Sequence, residues 1–375
     1  MLKTEDGRRA KDRLIDAIWK PPGAWRMPGA WLWWFWIFFI HDKNTAKTGK
    51  CRQLMILWSI KKDSRIACNS MEMRLPVQLE NIGYGEWRLN GAVAAWYFDG
   101  RKMHDNFLLE KTSMRLNPDT KTLVAPGVKP SSFRLAGRDF EIKIQSGEHK
   151  FELRARQADA HPALGPNFGA SGIPGGPGIE GTRMERLELS GFESLEHGET
   201  RRISGTAYFQ RIMLAIPPPQ WYWGLYHFAD GSFFTYLLPY FGRQSLADNL
   251  WKGARLTKPH LPLKQDIFFY HAPSGRVFEG KKLGVNPRKI GKTECWAHEI
   301  RGGGRGFEIT ANARAYAHAC WSFEKNVAVF PFRSKFKYNE YPAVLETLEV
   351  RIKGGETLRL EKGVGNMENS WGFLI

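Results

Sequence analysis

The sequence predicts an all-β protein built from two halves of similar size. Three observations carry that expectation. Runs rich in aromatic and β-branched residues recur along the chain, bounded by Gly, Asn and Asp. Convincing helical periodicity is confined to the N-terminus, with a weaker trace at Gln244–Trp251. The 375 residues suffice for two domains at about 150 residues each, and each half holds enough strands for its own sandwich or barrel. The boundary is placed at 195/196, with domains 1–195 and 196–375.

Taken in order, the run "WLWWFWIFFI" (Trp31–Ile40) is the most hydrophobic part of the chain. It is too short to span a bilayer as a helix, which takes roughly 20 residues. Its position and flanks do not fit a secretory signal, so it reads as a buried strand. It pairs with Arg52–Lys61 across the polar loop "DKNTAKTGK". Further strands are expected near Ala92–Phe98, Phe107–Leu116, Phe133–Ile144 and Phe151–Ala155. The stretch "GPNFGASGIPGGPGIEGTR" (Gly165–Arg183) reads as a long Gly/Pro loop. Strands resume at Gly205–Leu214, Trp221–Phe228, Ser232–Tyr240, Asp266–His271, Gly306–Phe323, Ala343–Lys353 and Glu356–Lys362.

Two strands carry unusual information. "QWYWGLYHFADGSFFTYLL" (Gln220–Leu238) holds large aromatics on both parities. Trp221, Trp223, Leu225 and His227 share one face; Tyr222, Tyr226 and Phe228 share the other. Asp230-Gly231 sets the hairpin turn. In "AVLETLEVRIK", Glu346 falls among Val344, Leu348, Val350 and Ile352 on an apolar face. A carboxylate there is costly unless it is paired or used. It is either an ion-pair partner for a neighbouring Arg or a cavity carboxylate with a shifted pKa.

Composition narrows the function. The four cysteines show no C-x-x-C spacing, so neither a zinc site nor a disulfide framework is indicated, and a reducing, cytoplasmic setting fits. No H-E-x-x-H, G-x-S-x-G or P-loop spacing occurs, and nothing points to a metal or nucleotide. The net charge of +17 is scattered, apart from Lys3, Arg8, Arg9, Lys11 and Arg13. That cluster fits a solvated helix or peripheral contact with an anionic membrane surface. Nucleic acid is not the expected partner. The aromatics occupy both strand faces, beyond what a stacking platform requires.

The residues resemble a family. "SGTAYFQR" followed by the Trp-x-Trp strand and Asp-Gly hairpin is similar to the second-half signature of the carotenoid 1,2-hydratase (hydroxyneurosporene synthase) family. Gly205, Ala207, Tyr208, Arg211, Trp221, Trp223, Asp230 and Gly231 match it. Trp33, Trp34 and Phe35 resemble its first strand, and "AVLETLEV" its glutamate-bearing strand, which places Glu346. The resemblance implies two lipocalin-like antiparallel β-barrels packed together, with minor helix and a hydrophobic cavity. It implies cofactor-free chemistry, by hydration, cyclisation or isomerisation, on a polyene or isoprenoid-like molecule; no cofactor or metal is expected. Trp33, Tyr208, Trp221, Trp223, Tyr226 and His227 would bind substrate. Glu346 would be acid or base, with Gln210 and Arg211 as polar catalytic anchors. One departure stands out. Gln210 occupies a position that is acidic in many members, and an amide cannot protonate an alkene. A non-catalytic lipid or pigment carrier on the same barrels is therefore the alternative.

Overall fold

The computed structural model describes residues 14–21, 29–62, 66–73, 79–127, 130–157, 167–172, 178–195, 198–241, 261–326 and 333–373. The N-terminal basic cluster and the helical trace at Gln244–Trp251 lie outside the described residues.

Ten antiparallel strands form a closed barrel. In spatial order they are His149–Gln157, Asp139–Ser146, Ser131–Ala136, Thr122–Ala125, Met103–Asn117, Glu86–Phe98, Arg52–Lys61, Trp31–Ile40, Thr200–Leu214 and Gly178–Ser194. The last pairs back onto His149–Gln157 and closes the ring. A second antiparallel sheet runs Arg276–Gly280, Asp266–His271, Phe233–Phe241, Gln220–His227, Thr357–Phe373, Arg333–Ile352, Phe307–Ala315, Trp296–Gly304 and Lys282–Lys289. It curls around its own core until Ile267 lies against Gly302 and Gly280 against the Gly303 carbonyl.

The predicted strands are present, with three differences. Gly165–Arg183 is not all loop. Asn167–Gly172 pairs with the start of Gly178–Ser194, and the latter is a full barrel strand. Barrel closure needs its backbone donors and acceptors whatever its glycine content. Phe133–Ile144 is two strands joined at Gly137, which takes φ +64°. Gly306–Phe323 is also two, broken at residues 316–318. The halves do not divide at 195. Thr200–Leu214 completes the first barrel, so the chain crosses over between Leu214 and Gln220. In the other direction, Ile66–Cys68 from the first half pairs with Ala319–Asn326 of the second.

The first strand explains how the halves meet. Leu32, Trp34, Trp36 and Phe38 point into the barrel, while Trp31, Phe35, Ile37 and Phe39 point out into a second apolar cluster. Gln220–His227 does the same from the other side. Tyr222 and Tyr226 fill the interior of the second sheet; Trp223 and Leu225 join the shared cluster. Tyr208 of the first barrel packs its ring 5.3 Å from Trp223. Both strands are thus buried on two faces, as their doubled aromatic pattern anticipated.

Polar contacts lock the same seam. The Tyr316 hydroxyl donates to the Cys51 carbonyl at 3.0 Å and accepts from Gln53 Nε2 at 2.9 Å. Gln53 Nε2 also donates to the Gly365 carbonyl at 2.8 Å. Removing a buried hydrogen-bond partner costs about 1–3 kcal/mol. Tyr316→Phe is therefore expected to lower unfolding free energy by about that amount, read as a drop in the urea midpoint with an unchanged slope.

Candidate functional site

The seam between the two halves holds a pair of buried carboxyls. Glu340 and Glu368 stand directly opposite each other on adjacent strands. Both belong to the face that also carries Phe336, Tyr338 and Val364 toward the first barrel. Their relative exposures are 1% and 4%. Trp221 Nε1 donates to Glu368 Oε2 at 2.5 Å, and the Tyr338 hydroxyl donates to Oε1 at 3.0 Å. Tyr338, Asn366 and Glu368 stand beside Glu340, yet neither of its oxygens receives a hydrogen bond of good geometry.

Two buried carboxyls this close cannot both ionise cheaply. Burial, and then the neighbouring Glu368, push Glu340 well above the usual carboxylate range. Burial pushes Glu368 up to about 7, against the opposing pull of its Trp221 and Tyr338 hydrogen bonds. The pair therefore retains at least one proton near neutrality and titrates as a unit.

Aromatic rings frame this acid. Trp221 lies 5.8 Å from Tyr338 and 5.5 Å from Phe336. Trp321 stacks on Tyr338 at 6.2 Å. Behind Trp321 a cavity of about 40 Å³ opens between the halves, lined by Trp31, Leu57, Ala92, Ala94, Trp321 and Phe323 among others. Its lining does not include the carboxyls; Trp321 and Tyr338 stand between. A larger basin of about 560 Å³, lined in part by Leu238, Asn286, Arg288 and Arg301, flanks the outer strand of the second sheet, away from the pair.

The first barrel faces the acid pair with Tyr208 and Gln210. The Tyr208 hydroxyl donates to Gln210 Oε1 at 2.9 Å. Burial holds the Tyr208 hydroxyl protonated, reinforced by the nearby charges of Glu185, Glu368 and Glu340. Trp33, half-buried, packs against the same cluster.

Strand alternation separates several residues that the sequence grouped. Arg211 sits on the opposite face from Tyr208 and Gln210. It points into the first barrel, donates to the Lys20 carbonyl at 2.8 Å, and lies over the Trp34 ring at 5.9 Å. With the Trp34–Ile18 hydrogen bond it fastens the N-terminal segment across that barrel. Tyr226 is inside the second sheet, away from Trp221 and Trp223. His227 does lie in the seam, but both ring nitrogens are taken. Nε2 donates to the Glu185 carbonyl and Nδ1 accepts from Thr206 Oγ1, each at 2.7 Å. Burial drives its pKa well below the usual value, so this neutral tautomer is the one its partners require.

Glu346 is corrected most plainly. It is exposed, at a β-bulge where Ala313 pairs with Leu345 but Asn312 with Thr347. The extra residue reverses the face of everything before it. Tyr341, Ala343 and Leu345 point inward ahead of the bulge, Leu348 and Val350 after it, and Glu346 falls outside. Glu340 and Glu368 were missed because "YNEY" and "NMENS" look like ordinary polar interruptions. Only the register that sets them opposite one another and beneath Trp221 reveals them. The aromatic flanks of Glu340 were the one usable signal.

Among the described residues no cluster of His, Cys, Asp and Glu suited to a metal ion occurs, and no helix is long and apolar enough to cross a membrane. No family model and no curated protein sequence matches the chain. Solved structures do resemble it. A protein from Nitrosomonas europaea named as an AttH has 11% identity and a TM-score of 0.49, covering 91% of this chain and 92% of its own. CghA with Sch210972 has 9% identity and a TM-score of 0.49, covering 92% and 88%. Kievitone hydratase from Nectria haematococca has 10% identity and a TM-score of 0.43, covering 95% and 94%. The likeness concerns the course of the chain; the chemistry rests on the residues above.

The acid pair has a consequence for stability. Folded Glu340 and Glu368 hold protons that the unfolded chain releases above an ordinary carboxyl pKa of 4.5. Their contribution is present in full below that value and is lost as pH rises through the raised folded values, about 7 for Glu368 and further up for Glu340. Unfolding free energy measured in urea from about pH 5 to 9 should fall across this window. Glu340→Gln should flatten the fall and be more stable than the parent at the alkaline end.

Proposed function

We propose that the chain is an acid–base enzyme that acts on a hydrophobic, unsaturated small molecule in the seam between its halves. The observation that carries this reading is the buried Glu340–Glu368 pair, anchored by Trp221 and Tyr338. A carboxylic acid kept neutral near pH 7 by burial is a proton donor of useful strength in an apolar site. It supplies what Gln210 lacks, so the absence of an acid at that position does not argue against proton chemistry.

In the step we envisage, the pair delivers its proton to the substrate and the resulting carboxylate takes one back. Positive charge that develops on the substrate faces Trp221, Trp223 and Tyr338. Each π face stabilises a cation by roughly 0.5–2 kcal/mol. Tyr208, held by Gln210, offers a fixed hydroxyl on the opposite wall. Hydration, cyclisation and isomerisation of a polyene or isoprenoid-like molecule all draw on such a donor.

The direct assay is incubation with candidate polyenes followed by mass and retention analysis. A gain of one water or a shifted isomer supports the proposal; ligand recovered unaltered favours a carrier. Where turnover is found, Glu368→Gln is expected to reduce kcat by about 10²–10⁴-fold. The activity of the parent should fall at high pH, where the pair gives up its last proton. Glu346→Gln should leave turnover unchanged. Full activity in Glu368→Gln would sink the proposal.

A further inference from the structure

One buried carboxyl of the seam has no part in that scheme. Glu185 belongs to the first barrel, on the strand Gly178–Ser194. The register of this strand against Thr200–Leu214 breaks between Met184 and Leu187, so Glu185 and Arg186 form a bulge. Met184 pairs with Phe209 and Leu187 with Ala207, which sets the bulge beside Tyr208. Arg183 pairs with Gln210 in the same ladder.

Glu185 is 3% exposed. Its Oε1 lies 3.7 Å from Arg183 Nε, and its Oε2 has no hydrogen-bond partner. The bulge is pinned to the other half through its own carbonyl, which accepts from His227 Nε2 at 2.7 Å. Arg186 is turned elsewhere, toward the Phe228 carbonyl and Glu188. The Tyr208 proton is committed to Gln210 and does not cap the open oxygen. Tyr208 then spans the seam to Trp223, which pairs in register with Glu368. Around Glu185 stand Arg183, Arg186, Tyr208 and His227; Asp266 of the second sheet acts on Arg183, and Tyr208 is the group that feels both Glu185 and, across the seam, Glu340 and Glu368.

We propose that Glu185 is the base of a two-sided site and that the substrate is an apolar molecule bearing an enolisable carbonyl. The proposal rests on the acid pair acting as described above. The carbonyl oxygen accepts a hydrogen bond from the proton shared by Glu340 and Glu368. The Glu185 carboxylate removes a proton from the carbon next to that carbonyl. The C–H electron pair becomes the carbon–carbon double bond of the enol, and the carbonyl π pair moves onto oxygen, which takes the proton of the acid pair. Reversal returns a proton to the same carbon, or to a conjugated carbon further along, giving exchange or a double-bond isomer with no other reactant. Opposed carboxyls in unlike environments are what this division of labour requires. Burial pushes Glu185 up as well, but there an arginine opposes the push and one carboxyl oxygen is left without a partner. The other two share a proton in an apolar pocket.

The test uses the full chain in heavy water with a long-chain aliphatic methyl ketone as probe. Deuterium gained next to the carbonyl is counted by mass spectrometry, and probe binding is read from tryptophan fluorescence. The parent should exchange faster than buffer. Glu185→Gln should lower that exchange by about 10²–10⁴-fold while binding the ketone with unchanged Kd, and Glu185→Asp should recover part of the loss. Arg183→Met should move the acid limb of the pH–rate profile upward, because it removes the charge that favours ionised Glu185; this variant decides the matter if Glu185→Gln fails to fold by near-UV circular dichroism. Parent-like exchange in Glu185→Gln, no exchange in the parent, or an unmoved acid limb in Arg183→Met would overturn the proposal. Loss of polyene turnover in Glu368→Gln alongside parent-like exchange in Glu185→Gln would leave the acid pair standing without the base. Insensitivity of turnover to Glu368→Gln would remove the acid pair itself.

Discussion

The structure depends on strands that have no solvent face. Trp31–Ile40 and Gln220–His227 each bury aromatic side chains on both sides, one set in their own core and one in the seam. A large buried apolar side chain contributes about 1.5–3 kcal/mol, so separating the halves would expose far more apolar surface than a folded domain tolerates. The seam is therefore a third core. A dry, rigid, aromatic-walled space is where a carboxyl changes character.

Buried carboxyls in the two places behave according to their partners. Glu193, in the first barrel, accepts hydrogen bonds from Arg52, Tyr97 and His149, and burial is outweighed: its carboxyl is held down at about 2. Glu340 and Glu368 have each other instead of an arginine, and burial wins. The same residue type becomes a fixed anion in one place and a stored proton in the other. Glu193 ties three side chains of the first barrel together, while the pair keeps a proton in the seam.

Bulges decide which residues reach the seam. At Glu346 the extra residue carries a carboxylate out to solvent, although strict alternation placed it on an apolar face. At Glu185 a bulge does the reverse and leaves a carboxyl buried in the seam. A side-chain period of two makes a one-residue irregularity sufficient for either result. Neither bulge has a compositional mark strong enough to read from one chain. The hairpins at Asp230-Gly231 and across residues 41–51 were legible, because turn residues act locally. Asp230 caps its turn by accepting from Ser232.

By itself the sequence determined the all-β class, most strands, and the two-faced character of Gln220–His227. These follow from local alternation, aromatic content and turn chemistry, which short-range sterics and burial enforce. It also singled out Trp221, Trp223, Tyr208 and Gln210, which the fold brings to the seam. Tertiary structure alone decided which carboxyls are buried there. Glu340 and Glu368 are 28 residues apart in the chain and meet only through strand pairing, and Glu185 reaches the seam only through its bulge. A carboxyl's pKa depends on what surrounds it in space. That surrounding is assembled by register and by the closure of one half upon the other.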